Sequence, residues 1–302
     1  MKVLIIGLGS IASKHIAALR TVNAECSIWA LRSKTNAKSN TGIINIYDWK
    51  DIPDDLDFII VSNVTSQHLE TITQCLKYKV PLFVEKPPFN TLDGTDAVLK
   101  KIKEVGIRTY TAFNFRFNPL IKWLKENLEG KRIIEIQTYC GSYLPDWRPS
   151  RDYRRVYSAN KDLGGGVHLD LIHELDYTFW LFGTPNKVES KRRKISDLEI
   201  NSIDSAQYWL EYDRMNITIS LNYFRRDPKR QMEIVFDDTT WIVDLLHGKI
   251  TDSNGLLIFE DLKKENTYEN QMKYFISQLH SGNAFMNDLE ESSCLLKYCL
   301  TE

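Results

Sequence analysis

Apolar and polar positions follow two different rhythms along this chain. Up to about residue 120, short apolar runs of strand length are separated by stretches with helical spacing. The runs at 2–6, 25–30, 43–46, 58–61, 82–84 and 109–112 predict strands, and 11–20, 67–77 and 92–105 predict helices. Strand–helix alternation over short connections predicts a doubly wound parallel sheet. After residue 120 a helix at 119–128 leads into a strand at 132–139, a long polar loop and a helix at 165–181. Strands at 205–212, 216–223, 231–236, 239–244 and 256–259 then follow without intervening helices, which predicts a mostly antiparallel sheet. Helices at 269–280 and 288–300 close the chain. The reading is an α/β protein with a doubly wound domain over 1–120 and an α+β domain with an open sheet over 121–302. No repeat or Gly/Ser linker separates them, so a tight junction is expected.

Composition narrows the picture by exclusion. The 302 residues suffice for two modest domains, and a net charge of -1 gives no bulk electrostatic case for nucleic acid or an anionic membrane. The basic run 191–194 reads as a solvated loop or strand edge. No apolar run approaches the ~20 residues that a membrane helix needs. Glycines and polar residues interrupt the apolar opening at once, and no small-residue cleavage site follows. Five scattered cysteines form no disulfide framework, and Cys294 and Cys299 read as packing residues. A reducing, cytoplasmic setting is expected. No Cys/His/Asp cluster has metal-ligand spacing, so no metal is expected.

Several segments carry chemistry. The first strand runs into Gly7-Leu8-Gly9-Ser10-Ile11-Ala12 and then a helix. This is G-x-G-x-x-A in the strand–turn–helix setting of a Rossmann dinucleotide site. Gly7 permits the turn, Gly9 lets backbone amides approach a pyrophosphate, and Ala12 lets helix and sheet pack closely. The amides of Ser10 and Ile11 open the helix whose N-terminus would face the phosphates. The second strand is followed by Arg32 and Ser33 rather than an acid. Those side chains suit a ribose 2′-phosphate, so NADP is preferred over NAD, with Arg32 stacking on adenine as the other reading. After the fourth strand come Asn63, Thr65, Ser66 and His68. The hydroxyls serve equally as helix caps or ligand contacts, whereas Asn63 is expected to touch the cofactor, with Thr65 and His68 in the same expected cofactor set.

The run Val84-Glu85-Lys86-Pro87 places an ammonium group at the carboxyl end of a buried strand, where ligands bind in such sheets. A lysine can act as general base when desolvation and a neighbouring cofactor bring its pKa toward neutrality. On a continuous helix Asp170, His173 and Tyr177 fall at i, i+3 and i+7 and share a face. That face could present a carboxylate and an imidazole to a polyol, or the two could simply bond each other and the loop. Trp147, Arg148 and Tyr153 lie in a loop rich in arginine and aromatics, suited to an anionic sugar or sugar nucleotide, or else exposed or used in an oligomer contact. Arg116 is a further anion-binding candidate, or an ion-pair partner of Glu85. Gly164–Gly166 allows close backbone approach or a sharp turn, and His168 reads as structural.

Taken in order, G-x-G-x-x-A, Ser62–His68, Glu85-Lys86-Pro87, Asn114-Phe115-Arg116-Phe117 and Gly164-Gly165-Gly166-Val167-His168-Leu169-Asp170 resemble the Gfo/Idh/MocA oxidoreductases, the glucose-fructose oxidoreductase and inositol dehydrogenase group. The resemblance covers nearly the whole chain. It implies an NAD(P)-linked dehydrogenase or reductase acting on a sugar, sugar acid, cyclitol or sugar nucleotide. By position it implies Lys86 as the active-site lysine, Glu85 as its cofactor-contacting neighbour, and Asp170 and His173 opposite the nicotinamide. Asn114 joins the implied cofactor set. Homodimers or homotetramers through the C-terminal sheet face are also implied. One departure stands out: the common pattern has three residues between that Asp and His, whereas only Leu171 and Ile172 intervene here. Two other functions remain open, a cofactor-bound sensor without turnover and an NAD-dependent glycoside-cleaving enzyme.

Overall fold

The computed structural model describes residues 1–33 and 41–301. The chain forms two compact units, the first of residues 1–114 and 266–296, the second of 115–265 and 297–302. In the first, β1 (Lys2–Ile6), α1 (Ser10–Val22), β2 (Ser27–Leu31), β3 (Ile44–Ile46), β4 (Phe58–Val61), α2 (His68–Cys75), β5 (Leu82–Val84), α3 (Thr95–Val105) and β6 (Thr109–Thr111) follow in order. All six strands are parallel, in the order β3-β2-β1-β4-β5-β6. β1, β4 and β5 read as unbroken apolar runs because both faces of a doubly wound sheet are covered; Val3, Leu4, Ile5, Phe58, Ile59, Ile60 and Phe83 are all 0% exposed. The order reverses between β1 and β4, the switch point at which such sheets bind ligands.

The second unit holds α4 (Pro119–Asn127), β7 (Ile133–Gly141), α5 (Val167–Asp170), α6 (His173–Phe182), β8 (Lys187–Arg193), β9 (Ser205–Glu211), β10 (Asn216–Asn222), β11 (Lys229–Phe236), β12 (Thr240–Asp244), β13 (Lys249–Asp252) and β14 (Leu257–Glu260). Asn118 caps α4 by accepting from the Leu120 amide at 3.0 Å, with Pro119 in the first helical position. The sheet order is β14-β13-β12-β11-β7-β10-β9-β8, parallel only between β7 and β10. Its strands alternate cleanly: Ala206, Tyr208 and Leu210 of β9 are buried, while Gln207, Trp209 and Glu211 face outward.

Three features depart from the sequence reading. β8 carries a single buried apolar residue, Val188, and β13 only Ile250, so neither shows a strand pattern on its own. Both exist through their ladders with β9 and with β12 and β14. The expected helix over 165–181 is two helices, because Leu171 (φ −101°, ψ 24°) leaves helical geometry after α5 and α6 begins at His173. Finally, the segment 266–296 belongs to the first unit rather than to a C-terminal domain over 121–302. It carries α7 (Thr267–Ser281), capped by Asn266, and most of α8 (Leu289–Leu300). Met272, Phe275 and Ile276 of α7 complete the apolar core against β1, β4 and β5. The Phe275 ring lies 4.9 Å from that of Phe58 and 5.2 Å from that of Phe83. Burial of each such ring contributes about 1.5–3 kcal/mol, which binds the segment to this sheet. Among the described residues no helix is long and apolar enough to cross a membrane.

Candidate functional site

The β1–α1 turn is shaped by its glycines. Gly7 adopts φ +86°, and a Cβ there would stand 2.5 Å from Asn63 Cα, so only glycine lets the turn close against the end of β4. At Gly9 a Cβ would meet nothing within 4 Å. Gly9 is also the N-cap of α1 and offers no side-chain cap, so the helix's opening N–H groups face an open cradle. Ser10 is exposed, Ile11 half-buried and Ala12 fully buried against the sheet. An open cradle above an uncapped helix N-terminus, at the switch point of a parallel sheet, fits a dinucleotide pyrophosphate. At the end of β2 the Arg32 guanidinium donates to Asn45 Oδ1 at 3.1 Å, and Ser33 is exposed.

The end of β4 is tied together by side chains. Asn63 Nδ2 donates to Thr71 Oγ1 at 2.8 Å, while its Oδ1 is a buried acceptor without a partner, consistent with a missing donor from a ligand. Thr65 is buried, but α2 begins only at His68 after a short 3₁₀ turn, so neither Thr65 nor Ser66 is its N-cap. His68 is 1% exposed, and its two ring nitrogens face the carbonyls of Pro88 and Asn63, each at 3.2 Å. Burial pushes its pKa down, opposed by those carbonyls. One ring N–H can donate to only one of these carbonyls, and the ring joins the ends of β4 and β5.

At the end of β5, Glu85 is 7% exposed and Lys86 half-buried. Glu85 Oε2 accepts from the Lys86 amide at 3.1 Å, and Oε1 meets Nε2 of His15, a fully buried residue of α1. The Lys86–Pro87 peptide is cis. Asn114, after β6, is 4% exposed and donates to Thr267 Oγ1 at 2.7 Å.

In the second unit the Gly-rich turn is packed on the chain's own backbone. A Cβ at Gly165 would stand 2.3 Å from the Tyr157 carbonyl oxygen, so close approach is the reason for that glycine. The turn delivers α5, which ends on Asp170. Asp170 Oδ2 accepts from the Tyr223 hydroxyl at 2.5 Å. Tyr223 is fully buried, and burial followed by the Asp170 charge holds its pKa well above the usual range, so it stays a donor. Trp147 packs edge-on against Tyr223 at 5.2 Å between ring centroids and donates to Ser142 Oγ at 2.7 Å. His173, 8% exposed, opens α6 with its ring 5.1 Å from that of Phe115. Asp170, Tyr223 and Trp147 therefore form one cluster. His168 is buried, and burial with the Arg192 charge pushes it down to about 3.

Several of the expected substrate-binding side chains have partners within the chain. Arg116 is buried and is held by Asp176. Its guanidinium grips Asp176 through Nε, at 3.1 Å to each carboxylate oxygen, and through Nη2 at 2.7 Å to Oδ1. Tyr177 is fully buried, and its hydroxyl donates to Glu174, which also pairs with Arg230. Burial and the Glu174 charge raise the Tyr177 pKa well above the usual value. Because α5 and α6 are separate helices, Asp170 does not share a continuous helix face with His173 and Tyr177. Arg148 is exposed, and the Tyr153 hydroxyl accepts from the Glu199 amide at 3.3 Å. Two partners of the expected residues were not anticipated, His15 beside Glu85 in the first unit and Tyr223 beside Asp170 in the second. His15 was signalled only as a lone histidine on the apolar face of α1, and Tyr223 only as the end of an apolar strand.

With this geometry in view, comparison with known proteins is decisive at the level of family. Residues 1–113 match the oxidoreductase family with an NAD-binding Rossmann fold, and residues 121–242 match the GFO/IDH/MocA C-terminal domain. The chain belongs to the Gfo/Idh/MocA oxidoreductase family. A myo-inositol 2-dehydrogenase from Thermotoga maritima is 28% identical over 192 residues, 61% of this chain and 55% of that protein. The chain thus spans about half the length of that relative. A D-xylose 1-dehydrogenase (NADP(+)) from Haloferax volcanii is 22% identical over 97% of this chain and 93% of its own. A UDP-N-acetylglucosamine 3-dehydrogenase from Acidithiobacillus ferrooxidans superposes with TM-score 0.82 at 17% identity, covering 99% of this chain and 95% of its own, which shows a shared fold.

Proposed function

We propose that this protein is an NAD(P)-dependent dehydrogenase or reductase of a hydroxyl-bearing carbon in a sugar, sugar acid, cyclitol or sugar nucleotide. The observation that carries the reading is Glu85-Lys86 at the mouth of β5, in the sheet whose switch point offers the uncapped α1 and the open space at Gly9. The names of the relatives support the breadth of substrate class, since they cover a cyclitol, a pentose and a sugar nucleotide.

A bound nicotinamide would take or give the hydride. The chain's own residues supply binding and proton handling. The first amides of α1, Gly9, Asn63 and Asn114 hold the dinucleotide, Arg32 and Ser33 take a ribose 2′-phosphate, and Glu85 contacts the cofactor beside Lys86. Lys86 accepts the hydroxyl proton in oxidation and returns it in reduction. Asp170, fixed in place by the Tyr223 bond, orients the hydroxyl, and His173 donates or relays the proton. Trp147 offers an aromatic surface to the substrate beside Asp170.

Homodimers or homotetramers through the outward face of β8–β10 remain part of this reading, and exposed Trp209 on that face supports it. The named activities among the relatives are dehydrogenations, which favours net redox turnover over a silent sensor or glycoside cleavage. The test is spectrophotometric. The protein, with NAD+ and NADP+ in turn, is offered inositols, pentoses, hexoses, uronic acids and UDP-, GDP- and CMP-sugars, and absorbance of the reduced cofactor is followed. Turnover of one class supports the proposal; no reduction by any of them, with cofactor bound, overturns it. Arg32→Ala should weaken NADPH about tenfold more than NADH, and equal losses would remove the 2′-phosphate reading.

A further inference from the structure

We infer that His15 is a positioning residue for the Glu85–Lys86 pair, so that α1 serves both the phosphates at its N-terminus and the lysine-bearing strand at its second turn. This rests on the reading of Lys86 given above. His15 is 0% exposed and lies on a helix face otherwise made of Ala12, Ile16, Ala18 and Leu19. An aliphatic residue would fill that place without burying polar atoms. Instead Nε2 meets Oε1 of Glu85, itself 7% exposed, and the other carboxylate oxygen accepts from the Lys86 amide at 3.1 Å. One short path therefore links ring, carboxylate and the backbone of the lysine.

The surroundings fix the ring. Phe83 stands edge-on at 4.9 Å and Tyr268 at 5.8 Å between centroids, and Nδ1 is buried without a hydrogen-bond partner. With Glu85 ionised, Nε2 carries the proton and donates it, and Nδ1 is the bare nitrogen among the rings. A buried ring that leaves one nitrogen unsatisfied is poor core material. Its value lies in the bond that it makes. A carboxylate held by only one donor can rotate; held by the imidazole on one oxygen and the Lys86 amide on the other, it sets the chain direction at Lys86. Residues that hold a catalytic group through a second hydrogen bond act in this way.

The test reads the lysine itself and needs no substrate. A pulse of acetic anhydride is applied to the full-length protein, and acetylation of Lys86 is compared by peptide mass spectrometry with that of Lys101, an exposed lysine on α3. His15→Leu should change the Lys86/Lys101 ratio by about threefold or more, because amine reactivity follows its immediate electrostatic surroundings. His15→Gln, which keeps an N–H at similar reach, should restore most of it. Glu85→Gln breaks the link from the other end and covers the case in which His15→Leu does not fold. NADH affinity of His15→Leu in a fluorescence titration should fall less than that of Gly9→Ala, since the N-terminus of α1 is untouched and only the Glu85 contact is loosened. An unchanged ratio in both His15→Leu and Glu85→Gln overturns the inference, as does equal disturbance by His15→Gln and His15→Leu. If Lys86 proves dispensable for turnover, the functional reading falls whatever the labelling shows.

Discussion

Replacing Arg116 with leucine asks what that guanidinium is for. Three N–H···O bonds of 2.7–3.1 Å join it to Asp176, and the two side chains are 5% and 0% exposed. Removing one member of such a pair strands the other charge away from water, at a cost of about 3–5 kcal/mol. Domains are stable by only about 5–15 kcal/mol, so Arg116→Leu should take away about a fifth or more of the total. Replacing both partners removes both charges from the interior, and a buried pair exchanged for apolar side chains is often near neutral. The double variant Arg116→Leu/Asp176→Leu should therefore recover much of the loss, with a coupling energy of about 2 kcal/mol or more. Urea unfolding of the natural protein, both single variants and the double, followed by tryptophan fluorescence, measures this. A substrate clamp would behave differently: Arg116→Leu would keep its urea midpoint and raise KM for an anionic substrate. Unchanged midpoints, or single effects that simply add, refute the structural assignment.

Two further perturbations follow from the same geometry. His168 is held near 3 by burial and Arg192, against 6.5 in an open chain, so between those values the unfolded chain binds the extra proton. Its contribution is complete above about pH 6.5 and is lost at about 1.4 kcal/mol per pH unit as the pH falls toward 3. His168→Gln should flatten the acid limb of a stability–pH series, and identical slopes would contradict this. Gly7→Ala and Gly9→Ala should separate folding from binding. The first forces a Cβ to 2.5 Å from Asn63 Cα at φ +86° and should cost about 2–4 kcal/mol of stability. The second meets nothing within 4 Å and should leave the melting temperature alone while weakening NADH about tenfold or more in a fluorescence titration. Equal melting losses in the two variants would undo the cradle argument.

The parts legible in the sequence are those set by local pattern. The central strands β1, β4 and β5 and the glycine turn announce themselves because burial on both faces demands continuous apolar runs and because a turn at φ > 0 demands glycine. β8 was not legible as a strand because KVESKRR has one buried apolar residue and depends on pairing with β9. The return of 266–296 to the first unit was hidden for a similar reason: an amphipathic helix shows that it has an apolar face, not which sheet that face covers. In the site, Lys86, Asp170 and Gly7 stood out as polar or glycine residues where local structure needs explanation. The partners of Arg116 and Tyr177 were not legible, because a sequence does not reveal that Asp176 and Glu174 stand beside them in the interior. The α5–α6 break at Leu171 also has no glycine or proline to mark it.

We propose Lys86 as the residue that handles the proton of a dinucleotide-linked redox step. The most direct measurement of that role is turnover by Lys86→Met on the substrate class found in the panel, set beside an NADH titration of the same variant. The account predicts kcat reduced by about 10²–10⁴-fold, the usual worth of a general base, with NADH affinity held within about threefold. Turnover at the natural rate with NADH bound as before would contradict it.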